Sequence, residues 1–401
     1  MNTPTLRFKE FSGEWEVKKL GTETTWNSGG TPSKQEESYW DGDIPWISAS
    51  SMRGFKYFDS DLKITNAGLS NGSRLATTGS LLLLVRGSML FNKIPVGIAT
   101  KDVAFNQDVK SIKTKPSINN EFLLYWFFAS ENKLLNMVSG TGIGAGKLDT
   151  QDLLAMDLSI PTIPEQTKIA NFLTAIDDKI AQLSQTAQLL TDYKKGVMQQ
   201  IFSQQLRFKD DDGREFAEWE EGKLDDAFSY KNGKSFENEV IENGDFYLIT
   251  LNSIDISGKL KGEHKRVSKS DNSLIKNDLI MVLSDVAHGN FLGLTDIIPS
   301  NNYVLNQRMG GLRAKINIDV KFASLYINYH QKYFKLHGQG SSQLNLSKGD
   351  VLDFDLPRPC VEEQTKIANF LTAIDDKLNH NQTQLDAMKQ YKSGLLQQMF
   401  V

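Results

Sequence analysis

Cysteine is nearly absent: Cys360 is the only one in 401 residues, so no internal disulfide can form, and a reduced, cytoplasmic setting is the expectation. Cys360 follows Pro359 and has no histidine near it in sequence, so it reads as a structural thiol and not as an activated nucleophile. The five histidines, His264, His288, His330, His337 and His380, all fall in the second half, where a metal or acid/base role would have no counterpart in the first. Most of them read as surface residues. Long apolar runs are also lacking. The longest, Leu81 to Val85 and Phe122 to Ala129, are core-sized and far short of the eighteen or so residues of a membrane span. The opening Met1-Asn2-Thr3-Pro4-Thr5 has no basic stretch followed by an apolar one, so no secretory signal is expected. The chain has neither the His-Glu-x-x-His of a zinc hydrolase nor a Cys-x-x-Cys. With no adjacent Pro-Pro, it also lacks the Asn-Pro-Pro-aromatic tetrad of an amino-methyltransferase. Gly146-Lys147 does not complete a P-loop, because Thr141 stands where the first glycine is needed and Leu148 where the Ser or Thr is needed.

What the chain does have is an internal repeat. Glu165 to Lys179 recurs without change as Glu363 to Lys377, and the register continues ungapped to Phe202 and Phe400. Weaker matches extend it: Leu6-Arg7-Phe8-Lys9 with Leu206-Arg207-Phe208-Lys209, Trp15 with Trp219, Asn106-Gln107 with Asn306-Gln307, and Ile160-Pro161 with Leu356-Pro357. Between these anchors, about 20–160 and 224–356, the copies share little. A scaffold is therefore written twice and carries two different inserts, unlike a solenoid that repeats throughout.

The repeated segment predicts a helix beginning just after Pro164, with Glu165 near the positive end of its dipole. Apolar residues recur at alternating threes and fours: Leu173, Ile176, Ile180, Leu183, Ala187, Leu190, Val197 and Ile201, interrupted at Lys194. The second copy gives Leu371, Ile374, Leu378, Leu385, Met388, Leu395 and Met399, broken at Asn381 and, again, at Lys392. A seam this narrow needs a partner helix, and the simplest partner is the other copy, paired antiparallel so that a pseudo-twofold relates the halves. The alternative is that each helix packs only on its own domain. Adjacent carboxylates in Asp177-Asp178 and Asp375-Asp376 diverge by about 100° on a helix, so they read as helix-surface or partner-binding groups and not as a catalytic pair.

Each insert reads as mixed and strand-rich. Ile44 to Ile47, Ser80 to Val85 and Asp278 to Leu283 have the character of short buried strands, and Glu121 to Val138 and Asp319 to His337 of aromatic-rich helices. Polar loops, Ser139 to Lys147 and Gly338 to Gln343, occupy the same place in both copies. Such a loop can offer backbone amides to a phosphate or be an ordinary connection. The overall formal charge of −4 does not suggest a basic binder, but the distribution is uneven. Residues 74–148 carry nine Lys/Arg against four Asp/Glu, and 297–349 seven against one, whereas 206–258 carry six against fourteen. Basic charge confined to the later part of each insert is expected if one face meets phosphate.

Several of these motifs together resemble the specificity subunits of type I restriction-modification systems, over essentially the whole chain. They are Leu6-Arg7-Phe8 to Trp15 and its second copy, Gly30-Thr31-Pro32-Ser33 with Tyr39-Trp40 and Asp43 to Ser48, the two Asn-Gln pairs, and the Pro-x-x-x-Glu-Gln-x-x-Ile-Ala-x-x-Leu-x-x-Ile-Asp helix start. The second insert departs from the pattern, since Lys231 to Phe236 lacks the Thr-Pro and Tyr-Trp elements. The resemblance implies an α+β chain with a target-recognition domain at 1–160, a spacer helix at 161–205, a second recognition domain at 206–357 and a second helix at 358–401. It implies a non-catalytic subunit that reads the two halves of a split double-stranded DNA target. Its partners would be two methyltransferase subunits and motor-nuclease subunits, which would bring S-adenosylmethionine, ATP and Mg. The residue types expected at the DNA are Arg53, Lys56, Arg74, Arg86, Lys93 and Lys147 in the first insert, and Lys261, Lys265, Arg266, Arg308 and Gln343 in the second. Two other classes stay open at this point: a coiled-coil interaction scaffold that binds no nucleic acid, and an enzyme in its own right.

Overall fold

A computed structural model describes residues 3–142, 144–286 and 289–401. The chain forms two compact units, one of residues 1–185 with 382–401 and the other of residues 186–381. His288 lies outside the described residues. No helix among them is long and apolar enough to cross a membrane.

In unit 1 the strand Leu81–Leu84 is buried on both faces and sits at the middle of a five-stranded sheet, between Val109–Thr114 and Val96–Ala99. Four consecutive leucines suit that place, because a strand covered on both sides needs no polar alternation. A second sheet of four strands contains Trp40–Ile47 and Val103–Phe105 in parallel, with Arg74–Ala76 at one edge. The Trp-rich opening motif is structural. Trp40 and Trp46 donate their indole N–H groups to the carbonyls of Ser33 and Gly30, and their rings meet edge to face at 5.4 Å.

Unit 2 repeats the plan with other residues. Leu279–Val282 is flanked by Met309–Ala314 and Thr295–Ile297, and Phe246–Ile249 runs parallel to Tyr303–Leu305. The aromatic-rich helix expected in each insert is two helices: Asn120–Ala129 and Glu131–Asn136 in unit 1, Val320–Tyr329 and Gln331–His337 in unit 2. Asn119 and Asp319 cap the first of each pair through their side-chain oxygens.

The long helices run from Ile163 to Phe202 and from Val361 to Met399, 40 and 39 residues or about 60 Å each. Pro164 falls inside the first turn and not before it, a position where its missing N–H costs nothing. Glu165, read above as a dipole partner, is buried in a salt bridge. It accepts from Arg7 at 2.7 and 2.8 Å, and the Trp15 indole lies at 3.4 Å. Glu363 is held in the same way by Arg207 and Trp219. The adjoining glutamines tie each helix to its domain. Gln166 donates to the carbonyls of Ser117 and Pro161 and accepts from Asn119 N–H, while Gln364 donates to the Pro359 carbonyl and accepts from Asp319 N–H.

Within unit 1 the start of the first long helix packs antiparallel against the end of the second. Leu173, Ile176, Leu183, Leu385 and Leu395 are buried there, and Ile180 and Met388 half-buried. Within unit 2 the end of the first packs against the start of the second, burying Val197, Leu371 and Ile374 and half-burying Leu190 and Leu378. The two lysine interruptions of the seam are ion pairs. Lys392 Nζ lies 2.6 Å from Asp177 in unit 1, and Lys194 Nζ lies 2.6 Å from Asp375 in unit 2. Asp177 is therefore not the surface residue that its doublet suggests; Asp178, its exposed neighbour, is.

Candidate nucleic-acid interface

One arrangement occurs in both units at the end of the central buried strand. The residue that leaves this strand, Val85 in unit 1 and Leu283 in unit 2, is held on both sides of its backbone. Its N–H donates to the carbonyl of Asp108 (2.8 Å) or Arg308 (3.0 Å), in the turn that begins with the Asn-Gln pair. Its carbonyl accepts from the N–H of Leu148 (2.9 Å) or Leu346 (2.8 Å), just past the polar loop. The two motifs matched by sequence are thus joined by one strand end in each domain.

The Asn-Gln turn is rigid for identifiable reasons. Asn106 and Asn306 are 7% and 2% exposed, and their N–H groups donate to Ile47 and Ile249, both at 3.0 Å. Each asparagine carbonyl closes the turn by accepting from Val109 or Met309 at 3.3 Å. Gly29 and Gly233 press against the turns so closely that an added Cβ would come within 2.1 Å of the Phe105 carbonyl oxygen or 1.8 Å of the Asn306 carbonyl oxygen. Gly233 therefore fills the place of Gly29, although the Thr-Pro element that follows in the first insert is missing from the second.

The polar loops are not free connections. Ser139–Gly140 and Gly146–Lys147 pair as a short hairpin, and Lys147 stands directly across from Arg86. In unit 2, Gln343–Asn345 pairs with Ser284–Val286, and Asn345 stands across from Ser284. The backbone bonds make Arg86 equivalent to Ser284, Lys147 to Asn345, and Asp108 to Arg308. The cation thus sits on the strand in unit 1 and on the turn in unit 2. Arg308 holds a left-handed backbone (φ 72°), which strains a non-glycine residue. Gln343 donates to Ser284 Oγ and, at 3.2 Å, to Asn345 Oδ1. The Gln151 N–H, together with Lys147 at 3.3 Å, keeps the Asp149 carboxyl below the usual carboxylate range.

Among the described residues, Arg53, Arg74, Arg86, Arg266 and Arg308 are exposed and have no carboxylate partner, whereas Arg7, Arg207, Arg214 and Arg313 are all in ion pairs. Arg74 pairs across from Phe105, the residue before Asn106, so three of these five exposed arginines flank an Asn-Gln turn.

The other expected contacts lie elsewhere. Arg53 and Lys56 line a shallow pocket with Tyr57 and Asp59, and Lys56 Nζ is 3.6 Å from Asp178 on the long helix. Lys93 lines a cavity of about 550 Å³ with Phe55, Phe128, Lys389 and Lys392. In unit 2, Lys261 is exposed and its N–H donates to the Ser253 carbonyl, and Lys265 Nζ is 3.3 Å from Glu237. Arg266 lies across the Tyr247 ring at 4.8 Å.

Sequence reading passed over Gln107 and Gln307, whose only signal was the Asn-Gln match, and Ser284 and Asn345, which gave none. It also passed over the G-x-S-x-G spacing of Gly68 to Gly72. Ser70 there ends the five-residue helix Asn66–Ser70, and unit 1 contains no histidine that could activate it. His337 and His380 are exposed, whereas His264 and His330 are half-buried, and burial lowers the pKa values of the latter two.

Comparison with known proteins follows this geometry. Residues 12–191 and 217–389 match the family described as the type I restriction modification DNA specificity domain. The chain is 30% identical over 174 residues to the specificity subunit of the type I restriction enzymes EcoR124I and EcoR124II of Escherichia coli, a match covering 43% of each chain. It is 24% identical to the MjaVIII specificity subunit of Methanocaldococcus jannaschii, over 97% of this chain and 94% of that one. In fold it is similar to the S subunit of a type I restriction-modification system from M. genitalium, with a TM-score of 0.63 at 17% identity over 100% of this chain and 99% of the other. A second fold relative, from a study of complex assembly and conformational transition in the type I system, gives a TM-score of 0.55 at 12% identity, over 96% and 97% of the two chains. With both inserts and most of each long helix inside the matched segments, this chain belongs to the type I restriction-modification DNA specificity family.

Proposed function

We propose that each unit reads one half of a bipartite double-stranded DNA target through the face around its Asn-Gln turn. The long helices fix the distance between the halves and dock two methyltransferase subunits. S-adenosylmethionine, ATP and Mg belong to those partners and to the motor-nuclease subunits.

The observation that carries this reading is the placement of the unpaired arginines. An exposed guanidinium without a carboxylate is free to meet guanine or phosphate, and Arg74, Arg86 and Arg308 stand beside the one turn that two diverged domains share. A scaffold that bound only protein would have no need for cations collected at that turn.

Base-resolution mapping of methylated adenine in cells with and without this gene tests the reading. One split motif should vanish on deletion, and an unchanged methylation pattern would refute it. The spacing role has its own test. One heptad added to both long helices lengthens them by about 10 Å, so the unread gap of the motif should grow by about 3 base pairs. A motif of unaltered gap would show that the helices do not set the distance.

A further inference from the structure

The two reading faces can be compared position by position, and three of the four positions differ. Arg86 faces Ser284 in this comparison, Lys147 faces Asn345, and Asp108 faces Arg308. The fourth is glutamine in both: Gln107 and Gln307, each exposed and each directly after the buried, backbone-locked asparagine. Neither side chain packs in the core, so core packing does not explain why the residue is the same. If the differing positions meet what differs between two half-sites, the shared position meets what every half-site has. Any stretch of duplex offers the sugar-phosphate backbone.

The chemistry of Gln107 agrees. Its Oε1 accepts a hydrogen bond from Thr31 Oγ1 at 2.6 Å, which engages one of that oxygen's two lone pairs, while the two Nε2 hydrogens have no partner among the described residues. A group that only donates suits a phosphate oxygen. In unit 2 the N–H of Lys234 bonds the Leu305 carbonyl as that of Gly30 bonds Phe105, which makes Ser235 the counterpart of Thr31 in chain order. The closed turn beneath each glutamine keeps its backbone from shifting with sequence.

We infer that Gln107 and Gln307 are the common register points of the two reading faces, each donating its side-chain amide to a backbone phosphate of its own half-site, while the flanking residues that differ read the bases. The inference rests on the DNA-reading function proposed above. The test uses the full chain assembled with its methyltransferase partner, and two duplexes of equal length: one carrying the split motif found by adenine mapping, one without it.

Gln107→Ala should weaken binding to both duplexes by the same factor, about tenfold, as expected for one hydrogen bond to a charged group, and leave the methylated motif unchanged. Gln107→Glu should weaken it more. A single neutral methylphosphonate at the contacted phosphate of the first half should bring Gln107→Glu back to the level of the alanine variant. Gln307 should behave likewise in the second half. Loss of preference at one base pair with normal binding to the motif-free duplex would make the residue a base reader and overturn the inference, as would unaltered binding to both duplexes. If the unaltered complex does not distinguish the duplexes at all, the DNA-reading function fails as well, and the two failures are thereby told apart.

Discussion

Arg308 shows how much of this protein is decided one residue at a time. Its left-handed backbone (φ 72°) costs about 1 kcal/mol in an arginine, yet its side chain has no ion pair among the described residues. Fold and side chain thus conflict at one point, which is where functional residues tend to be found. Arg308→Gly relieves the strain but adds unfolded-state entropy of about 0.5–1 kcal/mol, so the melting temperature should change little. Binding to the target should fall by ten- to a hundredfold, roughly the discrimination of one bidentate guanine contact. Thermal melting and duplex titration on the same sample check both, and a loss of more than about 2 kcal/mol in stability would mark Arg308 as a structural residue instead. None of this was legible in the sequence beyond an arginine after Asn-Gln, because turn type depends on how the Asn306 side chain is engaged. It donates to Glu237 and accepts from Phe236 N–H, whereas Asn106 accepts from the N–H of Asp108, two residues on.

At the scale of elements, the long helices were the part most legible in advance, since a 3–4 apolar spacing over forty residues has few other solutions. What the periodicity left out is that the two lysine interruptions are paired with aspartates. Lys392 is nearly enclosed, with Asp177 at 2.6 Å and the rings of Phe55, Tyr125 and Phe128 within 5.4 Å. Lys392→Met leaves a carboxylate that is 5% exposed without its cation and should cost about 3 kcal/mol, while the double variant with Asp177→Leu should cost less than about 1 kcal/mol. Denaturant unfolding of the two singles and the double measures the coupling, and simple additivity would argue against a linked pair. The break between the short helices of unit 2 gives a prediction in pH. His330 sits among Phe202, Tyr326 and Phe354 with no partner for Nε2, and burial lowers its pKa. A lowered folded pKa favours the neutral ring, so this part of the stability is complete above the unfolded value of about 6.5 and is lost as pH falls through the lower folded one. Unit 1 ends its corresponding helix at Ser130 and has no such group. Hydrogen exchange should therefore show Tyr326 and its neighbours opening more readily between pH 7 and pH 5, with His330→Gln flattening the response. Equal acid sensitivity in both proteins would assign the effect to another group.

Across the whole molecule, the repeat was legible because fifteen unchanged residues need no structure to be seen. The sheets were not, because their strands are short and their pairing links positions such as Arg86 and Lys147 that sit about sixty residues apart. The repeat makes a further demand on chain connectivity. In unit 2 the N–H of Leu206 donates to the carbonyl of Gln200 at 3.0 Å, and residues 203–205 supply the covalent link from the long helix to the next Leu-Arg-Phe-Lys segment. In unit 1 the N–H of Leu6 donates to the carbonyl of Gln398 at 2.9 Å, the same bond between the same parts without that link. A short covalent bridge there would join groups already in contact and so adds little strain, while an opening at 203–205 falls on exposed residues. A permuted chain, with Phe400 joined to Leu6 by Ser-Gln-Gln and opened within 203–205, should melt cooperatively within a few degrees of the original. It should also direct methylation to the same split motif, because neither reading face nor either long helix is interrupted. Cooperative melting with a changed motif would mean that the 203–205 link takes part in holding the reading faces, and failure to fold would mean that the two hydrogen-bonded junctions are not interchangeable.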